Sequence, residues 1–287
     1  MKKLGTIPAG GSNPVRIMGI LNLSPESFYK KSVKTTKNEI AKTVYLMEEQ
    51  GADVIDIGGM STAPYLSTMI SEKEESRRLT NAIKIIQKIS NLPISVDTCR
   101  SSVAKDVLEL GVEIINDVTG LKYDKNMVNV IQHYQPSLIL CAYNRNSFSG
   151  NHKETRKILK NSIALARDAN ISSNKITLDP AIGFFRNSGK GKFFSYIKSD
   201  WIKRDLEILN NLKNIKQNFP ILISVSRKSF LGVILDKKNP EDRIAGSLAC
   251  EAMSIINGAD IIRTHNVQET KDVATVVKRL TRTNKSL

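Results

Sequence analysis

Short runs of β-branched and other apolar residues alternate along the chain with longer stretches whose apolar positions recur at helical spacing. That alternation belongs to repeated βα units feeding a parallel sheet. Eight strands are predicted: Arg16 to Asn22, Asp53 to Gly58, Ile94 to Thr98, Ile114 to Val118, Leu138 to Tyr143, Ile176 to Pro180, Ile221 to Ser226 and Ile261 to His265. Helices are predicted over Glu39 to Gln50, Glu72 to Ser90, Ser101 to Leu110, Thr155 to Ala169 and Asp242 to Asn257. Gly51, Gly111 and Gly258 each stand after such a stretch and before the next strand, where a residue at ease with φ > 0 ends a helix.

A length of 287 residues is close to that of one complete (β/α)₈ barrel, the fold class expected here. An open doubly wound sheet is the alternative, because periodicity does not show whether the eighth strand pairs with the first. The polar residues choose between them. They gather at the C-terminal ends of the strands: Asn22, Asp56, Asp97, Asn116 with Asp117, Asp179, Arg227 with Lys228, and Arg263 with His265. A barrel brings those ends to one mouth, whereas an open sheet spreads them along a crevice. The longest aperiodic stretches, 24–38, 60–71 and 184–200, all follow strands and so fall at the same face, where long loops act as lids or binding arms. No linker or low-complexity tract divides the sequence, so residues 1–287 are read as one barrel domain.

Composition narrows the function classes. Hydrophobic residues at 40% and charged residues at 25% fit a folded globular protein rather than a disordered or fibrous one. No apolar run approaches the roughly 20 residues of a bilayer span, and Met1-Lys2-Lys3 leads into Gly and Pro rather than an apolar signal core. A cytoplasmic protein with no membrane partner is expected. Cys99, Cys141 and Cys250 lie far apart with no C-x-x-C spacing and are read as buried free thiols. The net charge of +15 is spread along the chain without a zinc-finger, basic-zipper or RNP-like pattern. It is read as a solvated lysine-rich surface that also favours an anionic small substrate, with no nucleic-acid partner.

Acidic and amide groups at a barrel mouth suit a ligand with many ring nitrogens, since carboxylates accept N–H donors and amides both donate and accept. Ser226 to Phe230 and Arg263-Thr264-His265 add cations on strands seven and eight, where a barrel commonly holds phosphate. The implied ligand has a flat hydrogen-bonding ring at one end and phosphate at the other. Asp53, at the start of strand two, and His133 and His152, in helix-like or loop sequence, are read as structural or surface residues.

In this setting the chain resembles the dihydropteroate synthase family over nearly its whole length. The resemblance rests on Ile17-Met18-Gly19-Ile20-Leu21-Asn22 followed by Ser24-Pro25-Glu26-Ser27-Phe28, on Gly51 to Gly59, and on Ile94-Ser95-Val96-Asp97-Thr98. Asn116-Asp117-Val118, Leu178-Asp179-Pro180 with Gly183-Phe184, Ser226 to Phe230, and Gly258-Ala259-Asp260 leading to Arg263 and His265 follow in the family's order. It implies a transferase that displaces pyrophosphate from 6-hydroxymethyl-7,8-dihydropterin diphosphate with the amine of 4-aminobenzoate. It also implies roles by position. Asp97, Asn116, Asp179 and Lys228 would hold the pterin ring, while Asn22, Arg263 and His265 would bind the diphosphate, Asn22 with Mg²⁺ and with Thr62 adding a hydroxyl. Phe184, Lys228 and Ser229 would form the amine pocket, the Ser229 hydroxyl and backbone N–H receiving a carboxylate. Asn22, Lys228, Arg263 and His265 are thereby the catalytic set, and a homodimer through the late helices is implied.

Three stretches depart from the family's pattern. Where the family's second loop reads Gly-Gly-Glu-Ser-Thr-Arg-Pro-Gly, this chain has Gly58-Gly59-Met60-Ser61-Thr62-Ala63-Pro64-Tyr65. Cys141-Ala142-Tyr143 replaces a Met-His-Met run, and Gly183-Phe184-Phe185-Arg186 replaces Gly-Phe-Gly-Lys. A methyl group does not replace a guanidinium, so another cation must serve, with Lys30, Lys31 and Arg186 as candidates. Two alternatives to the synthase stay open: a related synthase that takes a larger, ribosyl-phosphate-bearing aminobenzene into the room beside Ala63, and a non-catalytic pterin-binding barrel. Pterin-dependent methyltransferases share the barrel, but Ser226 to Phe230 favours the synthases.

Overall fold

The structure, a computed structural model, describes residues 1–27, 29–66 and 68–283. Eight parallel strands are present: β1 (Arg16–Asn22), β2 (Val54–Gly58), β3 (Ile94–Asp97), β4 (Ile114–Asp117), β5 (Ser137–Cys141), β6 (Ile176–Asp179), β7 (Leu222–Ile223) and β8 (Ile261–Thr264). They form one sheet in the order β7-β8-β1-β2-β3-β4-β5-β6. A parallel bridge from Leu178 to Ile221, with Leu178 N–H donating to Pro220 C=O at 2.9 Å, joins β6 to the approach of β7. The sheet therefore closes on itself as a (β/α)₈ barrel, and the open-sheet alternative is excluded.

Each predicted strand is found, most within a residue at either end. β5 ends at Cys141, two residues before its predicted end, and β7 departs most, with two paired residues where six are expected. The chain leaves the ladder there because it turns at once: Lys228 N–H donates to Val225 C=O at 3.1 Å, and Arg227 has φ of 57°.

The helices α1 (Lys37–Glu49), α2 (Glu72–Ile86), α3 (Ser101–Glu109), α4 (Met127–Tyr134) and α5 (His152–Asp168) follow the first five strands. Then come α6 (Trp201–Asn210), α7 (Leu212–Lys216), α8 (Ser229–Ile234), α9 (Ile244–Ile256) and α10 (Val267–Thr283). Their starts are written in the sequence. Thr36 and Glu39 form a reciprocal capping box on α1, and Ser71 caps α2 ahead of Glu72, Glu74 and Glu75, whose charges complement the helix dipole. Gly51, Gly111 and Gly258 have φ of 85°, 86° and 103°, as their helix-ending role requires.

Side chains alternate along a strand between the helix layer and the barrel interior. Ile17, Leu21, Ile55, Ile57, Val96 and Ile115 pack outward under the helices. Met18, Val54, Ile114, Ile139, Leu222 and Ile261 fill the barrel's lower interior, where Leu4 and Ala9 join them. Leu4 belongs to an antiparallel pairing of Lys3–Leu4 with Ile7–Pro8 that closes the bottom. Above this apolar plug the inward positions turn polar: Asn22, Asp56, Asp97, Asn116, Asp179 and Arg263 continue the same parity toward the mouth.

Candidate active site

That parity sorts the strand-end polar residues. Asn116 points inward, while Asp117, the next residue, is buried outside the barrel wall. It accepts from the N–H of Thr119 and Leu121 at 2.7 and 2.9 Å and from the Thr119 hydroxyl. Arg227 likewise turns away, donating to Asn266 and to the carbonyls of Pro240 and Glu241. Asp53 accepts from Ile17 N–H at 2.8 Å and pairs with Arg16 at 3.0 Å at the lower end of β2, so its reading as a structural residue matches its place. His133 lies on α4 against Tyr134, and His152 at the start of α5 against Glu207.

Most of the inward set lines a cavity open at the barrel mouth. Of the sequence-derived candidates, Asn22, Thr62, Asn116, Asp179, Phe184, Lys228, Ser229, Arg263 and His265 all face it. Asp97 stands one step behind. Arg263 donates from Nε to Asp56 Oδ2 at 2.6 Å and from Nη2 to Asp97 Oδ2 at 3.3 Å, and Asn116 Nδ2 reaches the Asp56 carboxylate at 3.4 Å. Asp56 is thus the hub that orients both. Its inward parity in Val54-Ile55-Asp56-Ile57-Gly58 was the signal, but a strand-end reading gave it no role. Burial pushes the Asp97 carboxyl above its usual range against the pull of Arg263, with Asp56 adding to the rise. Asp97 Oδ1 is buried with no hydrogen-bond partner among the described residues, an acceptor left over for a ligand donor.

On the opposite wall, burial raises the Asp179 carboxyl and lowers the Lys228 ammonium to about 8, each against the attraction of the other. Lys228 Nζ donates to Ile182 C=O and lies 4.7 Å from the Phe184 ring centroid. Cys141, paired in register with Asp179, also lines the cavity, and burial pushes its thiol well up.

Toward the mouth, Ser226 Oγ accepts from His265 N–H at 3.2 Å and meets His265 Nδ1 at 3.0 Å. Which of the two groups donates depends on the imidazole tautomer, since the serine hydroxyl has both a proton to give and a second lone pair to accept with. Burial, with Arg263, Arg227 and Lys228 nearby, lowers His265 to about 3, so the ring is neutral. Asn22 Nδ2 donates to Ser32 Oγ at 2.7 Å, and its Oδ1 accepts no hydrogen bond among the described residues. In the first loop, Glu26 is anchored by Arg78 of α2 at 3.0 Å. Phe28, the last residue of that sequence match, lies outside the described residues.

The second and sixth loops make the remaining wall. Pro64 C=O accepts from both Lys190 N–H and Gly191 N–H at 2.9 Å. A Cβ on Gly189 would fall 2.6 Å from that oxygen, and one on Gly191 2.9 Å from Ala63 C=O, so this clasp needs glycine at both places. Ala63, Pro64 and Tyr65 face the cavity. Of the candidate replacement cations, Lys31 pairs at the surface with Glu241 and Lys30 with Pro25 C=O. Arg186 alone of the three lines the cavity.

Among the described residues no three His, Cys, Asp or Glu side chains cluster as a metal cage. A hard cation of the magnesium kind needs none, because it keeps water and substrate oxygens and takes one or two protein oxygens. The uncommitted Oδ1 of Asn22 fits that demand.

The family described as pterin binding enzyme matches residues 18–265. The dihydropteroate synthase of Clostridium beijerinckii is 36% identical over 261 residues, covering 90% of this chain and 91% of that protein. A dihydropteroate synthase from Clostridium difficile, solved in the presence of pteroic acid, superposes with a TM-score of 0.81 at 33% identity, covering 98% of this chain and 99% of that one. The synthase of Xanthomonas albilineans, solved with 4-aminobenzoic acid, gives 0.82 at 27% identity with 94% of each chain covered.

Proposed function

The chain belongs to the dihydropteroate synthase family of pterin-binding enzymes, and from that membership we infer that it is a transferase joining 6-hydroxymethyl-7,8-dihydropterin, supplied as its diphosphate, to 4-aminobenzoate. The observation that supports the reading best is the inward polar layer of Asp97, Asn116, Asp179 and Lys228. It offers a flat ring one unpaired acceptor, one amide and one acid–base pair inside a low-dielectric cavity. Carboxylates there take the ring's amino and N–H donors, and Lys228 and the Asn116 amide take its acceptors.

In this reading the C–O bond from the pterin methylene to the diphosphate breaks while the arylamine nitrogen bonds to that carbon, and the amine then loses a proton. No covalent enzyme intermediate is needed. Arg263, locked by Asp56 and Asp97, and the neutral imidazole of His265 face the charge that grows on the leaving group. Fixed donors cost no reorganisation as it develops. Thr62 adds a hydroxyl from the second loop. A magnesium ion held by Asn22 and the diphosphate oxygens would supply further countercharge to the leaving group. Phe184, Lys228 and Ser229 place the amine.

Two further proposals follow. In α9 the buried side chains are Ser247, Glu251 and Ser254, while Met253 and Ile256, with Val276 of α10, stay about half exposed. An apolar face turned outward on packed helices supports a homodimer through α9 and α10, and Met253→Glu should shift the protein toward monomer by sedimentation. No described helix is long and apolar enough to cross a membrane. That, with three unpaired thiols, supports the cytoplasm, where thiols stay reduced.

The deciding experiment is incubation with the dihydropterin diphosphate, Mg²⁺ and 4-aminobenzoate, with the product identified by mass. Dihydropteroate and pyrophosphate in equal amounts are expected; bound pterin without product would overturn the synthase reading.

A further inference from the structure

Several arginines of the interior meet acids, and others give donors to carbonyls. Arg100 meets Glu75 at 2.7 Å, Arg204 meets Asp205 at 2.9 Å and Arg263 meets Asp56 at 2.6 Å. Arg243 sends all three of its nitrogens to backbone carbonyls.

Arg186 is different. It is 8% exposed and lines the cavity, yet no carboxylate lies within ion-pair distance of it among the described residues. Asp205 is the acid whose field it feels most, but that carboxylate is committed to Arg204 and to Gly183 N–H at 2.9 Å. Arg186 Nε donates to Gly183 C=O at 3.0 Å and Nη2 to the Ser229 hydroxyl, which leaves Nη1 without a hydrogen bond. Its guanidinium carbon lies 3.5 Å from the Trp201 ring centroid, which holds the plane in place and offsets part of the charge's desolvation. A buried, oriented cation with a donor to spare is unfavourable until an anion arrives.

We propose that Arg186 is the anion receptor of the second-substrate pocket, taking the carboxylate of the arylamine together with the Ser229 hydroxyl. The proposal rests on the synthase reading above and names the residue that fills the charge missing at Ala63. The diphosphate is not the anion in question, because Arg263, His265 and Asn22 serve it from β8 and β1. Arg186 instead bonds Ser229 and lines the cavity together with Phe184, Pro64 and Tyr65. Guanidinium and carboxylate match as planar forks, and selection falls on an arylamine with an acid at the far end of its ring.

The test compares 4-aminobenzoate with its neutral methyl ester in wild type, Arg186→Gln and Arg186→Lys. Arg186→Gln should raise KM for 4-aminobenzoate on the order of tenfold, while KM for the ester and for the pterin diphosphate stays within about twofold; lysine should recover part of the loss. Equal losses for the acid and the ester would make Arg186 a prop for Gly183 and Trp201, and no loss for either would place the carboxylate elsewhere. Both outcomes overturn the proposal. Calorimetric binding of the same two arylamines to pterin-loaded protein reads the contrast without turnover, so a failed reaction is distinguishable from a failed receptor.

Discussion

The two ends of the cavity are prepared for their ligands in opposite ways. At the ring and diphosphate end, most side chains rise from barrel strands, and Asp56, Asp97, Asn116 and Arg263 hold one another in place before any ligand arrives, with one oxygen of Asp97 left over. At the amine end, loops clasped by backbone hydrogen bonds frame a cation with no acid beside it. The first end is stable when empty and holds position. The second depends on what binds for its charge balance, which makes it the natural place for specificity to vary between relatives.

The largest expected effect comes from breaking the paired end. Arg263→Ala leaves Asp56 and Asp97 facing each other without their cation, so a stability loss of about 3 kcal/mol in chemical denaturation is expected at neutral pH. Turnover should fall at least about 100-fold. Unchanged stability would show that the two ends do not differ in this way. Asp179→Asn and Asn116→Ala should each weaken pterin binding by roughly 1 to 3 kcal/mol in calorimetry, and wild-type affinity in both variants would remove the ring site. A pH series sharpens the contrast. Lys228 loses its proton as pH rises through about 8, so kcat/KM for the pterin diphosphate should decline above that value, and Lys228→Arg, which stays charged, should flatten the decline. The smallest effect is expected from Ala63→Arg. If Arg186 already supplies the cation, KM for 4-aminobenzoate should move less than about threefold; a larger fall would mean that the second loop still lacks a charge it needs.

The barrel was legible because its signals are local. Apolar runs, caps such as Thr36 and Ser71, and the glycines at 51, 111 and 258 each act within a few residues. The candidate site was legible in so far as the family's motifs carried it. What stayed hidden was relational. Asn116 and Asp117 look alike in sequence, and only strand parity sends one to the cavity and the other to a turn. Arg186 is nominated as a cation by its place in the sixth loop, but that it has no acid partner is a fact about how Asp205, Arg204 and Trp201 of α6 are arranged. β7 was overextended because the apolar run continues past the point where the Val225 turn ends pairing.

The bottom closure bears on how the protein is made. Leu4 and Ala9 pack against residues of β1, β2, β4, β5, β7 and β8, and Lys2 Nζ donates to Ser173 C=O at 2.8 Å across 171 positions. Residues 2–9 therefore acquire these neighbours only after the strands up to β8 have been synthesised. Contacts so distant in sequence carry a large loop-closure cost and slow the final step of folding. A chain cut short before residue 261 would lack β8, and with it one of the walls on which the hairpin rests.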